Sequence, residues 1–191
     1  MDRERADREL LRCCGSIRWA RRMTDSRPFD TFEVMSATAD DIWWSLDRAD
    51  WLEAFAAHPQ IGAADPNQQA PAATPSRGHG NPRRGVSDSW RRGWGPAASA
   101  KKAGQAAWSS QEQWGVSDAS SDVRERLASR NRDYVERFGY IFIICATGKS
   151  AEEMLATLEQ RLTNAPDEEL RIAAEEQRRI TQLRLRKLLD E

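Results

Sequence analysis

Apolar positions fall along much of this 191-residue chain at the three-to-four-residue spacing that places them on one face of a helix. Residues 2–14 are charged, with apolar positions at Leu10, Leu11 and Cys14, and Gly15 closes what reads as a short helix. A second helical piece covers 17–23, punctuated by Ser26-Arg27-Pro28. Thr31 is placed to cap the next, which contributes Phe32, Val34 and Met35. Over 40–57 the pattern is clearer. Trp44, Trp51, Phe55 and His58 stand at offsets 0, 7, 11 and 14, one face of a single predicted helix. Leu127, Asn131, Tyr134 and Phe138 share a face over 121–138, and Gly139 stops that helix. Ser150-Ala-Glu-Glu153 has capping-box spacing and opens a helix with Leu155, Leu158 and Leu162 on one side. After a turn at 164–167, the last helix, about 168–189, carries Ala173, Gln177, Ile180 and Arg184 on one stripe.

Two stretches break this pattern. Residues 140–146 are seven apolar residues in a row, a strand by propensity, yet no second such run exists to pair with it. An extended segment among helices is therefore expected, with backbone groups that need partners, a bound amide-rich ligand being one candidate. Residues 63–104 hold five of the eight prolines and six of the eleven glycines, a composition that buries too little apolar surface to offset its ordering entropy. The expected fold is all-α: a compact single-domain bundle of seven to nine helices over 1–191, with one extended apolar segment (138–147) and a disordered insertion (about 63–104).

Composition narrows the partners. With 29 basic and 30 acidic side chains the net charge is −1, so no global field favours nucleic acid or an anionic membrane. The later part of the insertion, Arg83-Arg84-Gly85 to Trp90-Arg91-Arg92-Gly93-Trp94, interleaves basic and aromatic residues in the manner of a nucleic-acid or anionic-surface contact, but charge balance elsewhere favours a solvated loop. Three cysteines, two of them adjacent, make no disulfide framework and suggest a reducing compartment. No metal site is expected, because CxxC spacing is missing and the two histidines lie 21 positions apart. The charged N-terminus does not read as a secretory signal, no apolar run approaches a membrane span, and Leu-Leu-Asp-Glu is no peroxisomal address. A soluble intracellular protein is the expectation.

Candidate chemistry centres on His58-Pro59-Gln60-Ile61-Gly62. Proline disfavours the α region in the residue before it, so the helix is expected to end near His58. An imidazole at a helix C-terminus is favoured in its protonated form and suits proton transfer. The plainer reading is a histidine that only hydrogen-bonds the last helix carbonyls. Three aromatic residues on its face are core packing by default, but they anchor its backbone. Arg184 on an inward stripe points to a carboxylate partner, from a side chain or from a ligand. Ser109-x-x-Glu112 is on its own only the start of a helix.

Several separated motifs, taken in order, resemble the OHCU decarboxylases, enzymes that act on 2-oxo-4-hydroxy-4-carboxy-5-ureidoimidazoline (OHCU) in urate breakdown. They are Cys13-Cys14-Gly15-Ser16 with Trp19-Ala20, Arg27-Pro28-Phe29, Ala57-His58-Pro59-Gln60-Ile61-Gly62, Ser109-x-x-Glu112-Gln113, Arg137-Phe138-Gly139-Tyr140 with Phe142-Ile143-Ile144-Cys145-Ala146, and Ile180-Thr-Gln-Leu-Arg184-Leu. The wording is nearest the plant-type branch, often fused to a transthyretin-like hydroxyisourate hydrolase, of which this sequence carries no counterpart. The resemblance implies His58 and Glu112 as catalytic residues, with His58 the proton donor. It implies substrate contacts at Pro59, Ser109, Gln113, Phe142, Ile143, Ile144, Cys145, Ala146 and Arg184. His58 and Glu112 are 54 positions apart, further than the family's short connection, because of the insertion.

The implied activity is cofactor-free, metal-free decarboxylation of OHCU to (S)-allantoin, with the ring C=N of the substrate as electron sink and the protein orienting it and exchanging protons. The resemblance also implies a homodimer, coupling to a hydroxyisourate hydrolase, and a peroxisomal or cytoplasmic setting. Structural readings stand beside these: Glu112 as a capping carboxylate, and Arg184 as half of a buried ion pair. The rival function is a non-catalytic helical interaction module that binds partners through the 63–104 Arg/Trp/Pro/Gly arm.

Overall fold

The computed structural model describes residues 1–61 and 119–190. Among these residues there are seven α-helices and no strand: α1 (Arg3–Cys14), α2 (Ile17–Asp25), α3 (Phe32–Trp44), α4 (Arg48–Ala56), α5 (Ser121–Phe138), α6 (Ala151–Arg161) and α7 (Pro166–Asp190). The fold is all-α. The readings placed on 62–118, including the insertion and the segment with Ser109, Glu112 and Gln113, lie outside the described residues.

Helix starts follow local chemistry. Asp2, Ser16, Thr31, Asp47, Ser120 and Ser150 each accept a backbone N–H of the first turn, and Ser150 with Glu153 closes a reciprocal capping box. Gly15 and Gly139 end α1 and α5 in the left-handed region, φ 92° and 80°. The single helix expected over 40–57 is instead two helices. Asp47 accepts from the N–H groups of Ala49 and Asp50 and starts α4 afresh after the turn at 45–47. Trp44 is thereby 45% exposed rather than part of a buried stripe, although its ring still meets Trp51 edge-on at 5.8 Å.

The long helix α7 is the axis of the core and packs against α1, α3 and α4; α5 pairs with α6. All four residues of its predicted stripe, Ala173, Gln177, Ile180 and Arg184, are buried. Buried indoles find backbone acceptors: Trp19 Nε1 donates to Ala39 O and Trp43 Nε1 to Ala174 O, both at 3.0 Å, which ties α2 to α3 and α3 to α7. Gln182 and Arg178 on α7 reach Asp40 on α3 at 2.6 and 2.7 Å, so the α3–α7 seam is polar at its edge.

Residues 141–146 are extended, as expected, and run through the core: Phe142, Ile143, Ile144 and Ala146 are buried. Side chains satisfy two of their backbone groups. Arg161 Nη1 donates to Ile143 O at 2.8 Å, and Cys145 N–H donates to Glu176 Oε2 at 2.7 Å. Arg161 also lies over the Phe142 ring and pairs with the fully buried Glu169, which accepts from Tyr134 as well. A buried carboxylate needs such partners, and here they double as the anchor of the extended segment.

Candidate active site

His58 follows α4 directly, its backbone N–H donating to Phe55 O at 3.1 Å, so the helix ends where Pro59 requires. Three contacts fix α4 beneath it. Glu53 Oε2 accepts the N–H of Ile17 at the start of α2, and Arg18 bridges Asp47 and Asp50. At the α1–α2 turn, Gly15 lies so close to α4 that a Cβ there would come 2.8 Å from Ala57 Cβ and 3.2 Å from Ala54 O. Glycine is needed at that turn twice over, for its φ and for the approach.

The His58 ring turns inward. The residue is half-buried, but its Nε2 is shut off from solvent and has no hydrogen-bond partner. Burial, aided by the charge of Arg184, pushes the imidazole pKa down from 6.5 to about 3, and the Gln177 side chain opposes this. The protonated ring expected from a helix C-terminus is therefore not the resting form: desolvation and a neighbouring guanidinium outweigh the dipole. Arg184 itself is fully buried. Its charge also acts on the thiols of Cys13 and Cys14, which burial nevertheless raises to about 12, so these cysteines are packing residues rather than thiolates. The structure thus gathers His58, Arg184 and Gln177 where α7 passes the α1–α2 turn and the end of α4.

Other predicted site residues fall elsewhere. Pro59 is exposed. The 142–146 segment meets α7 at Glu176, through the Cys145 N–H, one residue before Gln177. Two of the backbone groups expected to be open to a ligand are thus held by Arg161 and Glu176. Ser109, Glu112 and Gln113 lie outside the described residues. Gln177 was visible from the sequence only as a stripe position seven residues before Arg184. That two-turn spacing was the signal that both side chains point the same way. Arg161 and Glu169 carried no such signal. Among the described residues no group of three or more His, Cys, Asp or Glu side chains gathers as metal ligands, and no helix is long and apolar enough to cross a membrane.

Comparison with known proteins gives this geometry a context. The OHCU decarboxylase family model matches residues 1–82 and 95–186. The uric acid degradation bifunctional protein TTL of Arabidopsis thaliana is 37% identical over 180 residues, 94% of this chain and 46% of that protein. The 2-oxo-4-hydroxy-4-carboxy-5-ureidoimidazoline decarboxylase of Amia calva is 39% identical over 79 residues, 41% of this chain and 45% of the relative. The chain thus matches less than half the length of these relatives. A solved OHCU decarboxylase structure obtained in the presence of (S)-allantoin superposes with a TM-score of 0.68 at 35% identity, covering 96% of this chain and 99% of that one. An (S)-allantoin synthase structure shares the fold, with a TM-score of 0.60 at 16% identity over 98% of this chain and 50% of the other. With the family model matched on both sides of residues 83–94 and a helical frame shared with these structures, the chain belongs to the OHCU decarboxylase family.

Proposed function

We propose that this protein is a carboxy-lyase of urate degradation that converts OHCU to (S)-allantoin. The observation that carries the reading is the inward-turned His58 within the field of the buried Arg184, in a chain that matches an OHCU decarboxylase over nearly its whole length. The reaction loses CO2 and takes up one proton. The electron pair of the broken C–C bond enters the ring C=N of the substrate, whose nitrogen takes up the proton that the ring hydroxyl gives up, and the carbon that bears the ureido group gains one from outside. No external oxidant or reductant is needed. Arg184 holds the substrate carboxylate, with Pro59, Ser109, Gln113 and the 142–146 segment as further contacts.

The resting electrostatics fit this role. Arg184 disfavours a proton on His58 in the empty site. A substrate carboxylate paired with Arg184 offsets that charge, so the ring gains proton affinity as substrate arrives. His58 then delivers the proton from one face and sets the (S) configuration, and Glu112 handles the second proton movement. We also propose a homodimer and a peroxisomal or cytoplasmic setting. The bifunctional name of the Arabidopsis relative, more than half of which lies outside the match, supports coupling to a hydroxyisourate hydrolase.

The test is turnover of freshly generated OHCU, with circular dichroism to read the handedness of the allantoin formed. His58→Asn is expected to lower the rate by about two to four orders of magnitude with the fold intact. Undiminished production of (S)-allantoin by that variant would overturn the assignment.

A further inference from the structure

Gln177 is fully buried on α7, and its amide is held from two sides. Nε2 donates to the Cys14 backbone carbonyl at 3.1 Å and to Thr181 Oγ1 at 3.3 Å, while Thr181 Oγ1 donates its own proton to the backbone carbonyl of Gln177 at 3.0 Å. With its single proton committed, that hydroxyl can only accept from the amide. A flipped amide would set Oε1 against the Cys14 carbonyl oxygen, lone pair against lone pair, so the orientation is determined by its partners. Oε1 is left buried with no hydrogen-bond partner, as is His58 Nε2. An unpaired buried polar atom is costly, and two of them on side chains near enough to act on one another call for a reason.

Packing brings the two together. The Cys14–Gly15 turn that Gln177 grips lies against Ala54 and Ala57, and Ala57 directly precedes His58. The Gln177 side chain is also the group that favours a proton on the imidazole, against burial and Arg184. We propose that Gln177 is a positioning residue: a small turn of the His58 ring brings its Nε2–H onto this fixed oxygen, which keeps the proton of the neutral ring on the inward nitrogen. A neutral imidazole has two tautomers, and only this one presents a donor to Gln177 Oε1. The catalytic consequence rests on His58 acting in the reaction, whereas the tautomer does not.

Both parts are measurable on the full chain with 15N-labelled histidine. Long-range proton–nitrogen correlation at neutral pH shows two rings, and the one lost in His58→Asn is His58. The expected wild-type state is Nε2–H. Gln177→Met removes the acceptor and is expected to move His58 toward Nδ1–H or a mixture, with kcat down by about tenfold and KM little changed. Gln177→Glu keeps an oxygen in place and is expected to retain Nε2–H while raising the pH at which the ring takes a second proton. Should Gln177→Met fail to fold, Thr181→Val, which removes one of the two anchors at nearly constant size, is expected to give the same tautomer shift in smaller measure. A wild-type ring in the Nδ1–H form, or an unchanged Nε2–H ring in a folded Gln177→Met or Thr181→Val protein, would overturn the proposal. The spectra need no substrate, so a wrong substrate assignment would leave them untouched.

Discussion

At His58 the helix C-terminus favours imidazolium, by about 0.3–1 kcal/mol in exposed settings, while loss of solvent and the Arg184 charge favour the neutral ring. The second pair wins, and the sign of its effect on stability follows. The folded protein holds the ring neutral down to about pH 3, whereas the unfolded chain protonates it near 6.5. Between those values the unfolded state binds more protons, so stability falls as pH is lowered through that window and is unaffected by this group above it. Urea midpoints from pH 7.5 to 5 are therefore expected to drop more steeply for the wild type than for His58→Asn, by up to about 1.4 kcal/mol per pH unit. Parallel pH profiles for the two proteins would mean that the ring is not held neutral. A local sequence reading reaches the dipole but not the guanidinium, because Arg184 lies 126 positions further on. The sign of the shift was legible only once α7 was placed beside the end of α4.

The elements themselves were more legible where their chemistry is local. Side-chain caps at Thr31 and Ser150 and the left-handed glycines at 15 and 139 act within a turn of chain, so spacing alone predicts them. The break between α3 and α4 escaped because Trp44, Trp51, Phe55 and His58 keep a helical phase across it. Asp47, with Asp50 three residues on, was the signal that competed with that stripe. The Arg161–Glu169–Tyr134 cluster joins three helices and leaves no periodic trace. The two glycines also allow the steric part of one contact to be separated from its backbone part. Both adopt positive φ, but a Cβ at Gly139 meets nothing within 4 Å, whereas at Gly15 it collides with Ala57 and Ala54. Gly139→Ala is expected to cost about 1–2 kcal/mol, the left-handed penalty alone, with turnover unchanged. Gly15→Ala is expected to cost more and to lower kcat, since the push falls on the residue before His58. Denaturation and OHCU turnover on both variants check this; equal losses of stability with equal activity would mean that the Gly15 approach does not position the histidine.

On the scale of the molecule, the all-α frame and the α7 stripe could be read from periodicity, but the assembly of a site from α1, α4 and α7 needed the family pattern or the structure. That pattern also bears on the residues between α4 and α5. It matches through residue 82 and resumes at 95, leaving 83–94, the Arg- and Trp-bearing part of the wider 63–104 stretch, without a family counterpart. If the protein works as an OHCU decarboxylase, those residues are expected to be dispensable for turnover, because the family model matches the chain on either side of them and not there. A protein lacking residues 83–94 is expected to keep its helical circular dichroism and its kcat for OHCU. If the chain were instead an interaction module working through this arm, the same deletion would abolish partner capture, and the intact protein would show no turnover to lose. A folded deletion variant with kcat well below wild type would mean that 83–94 contributes to the site itself. The active-site assignment would then have to extend beyond the residues that the family shares.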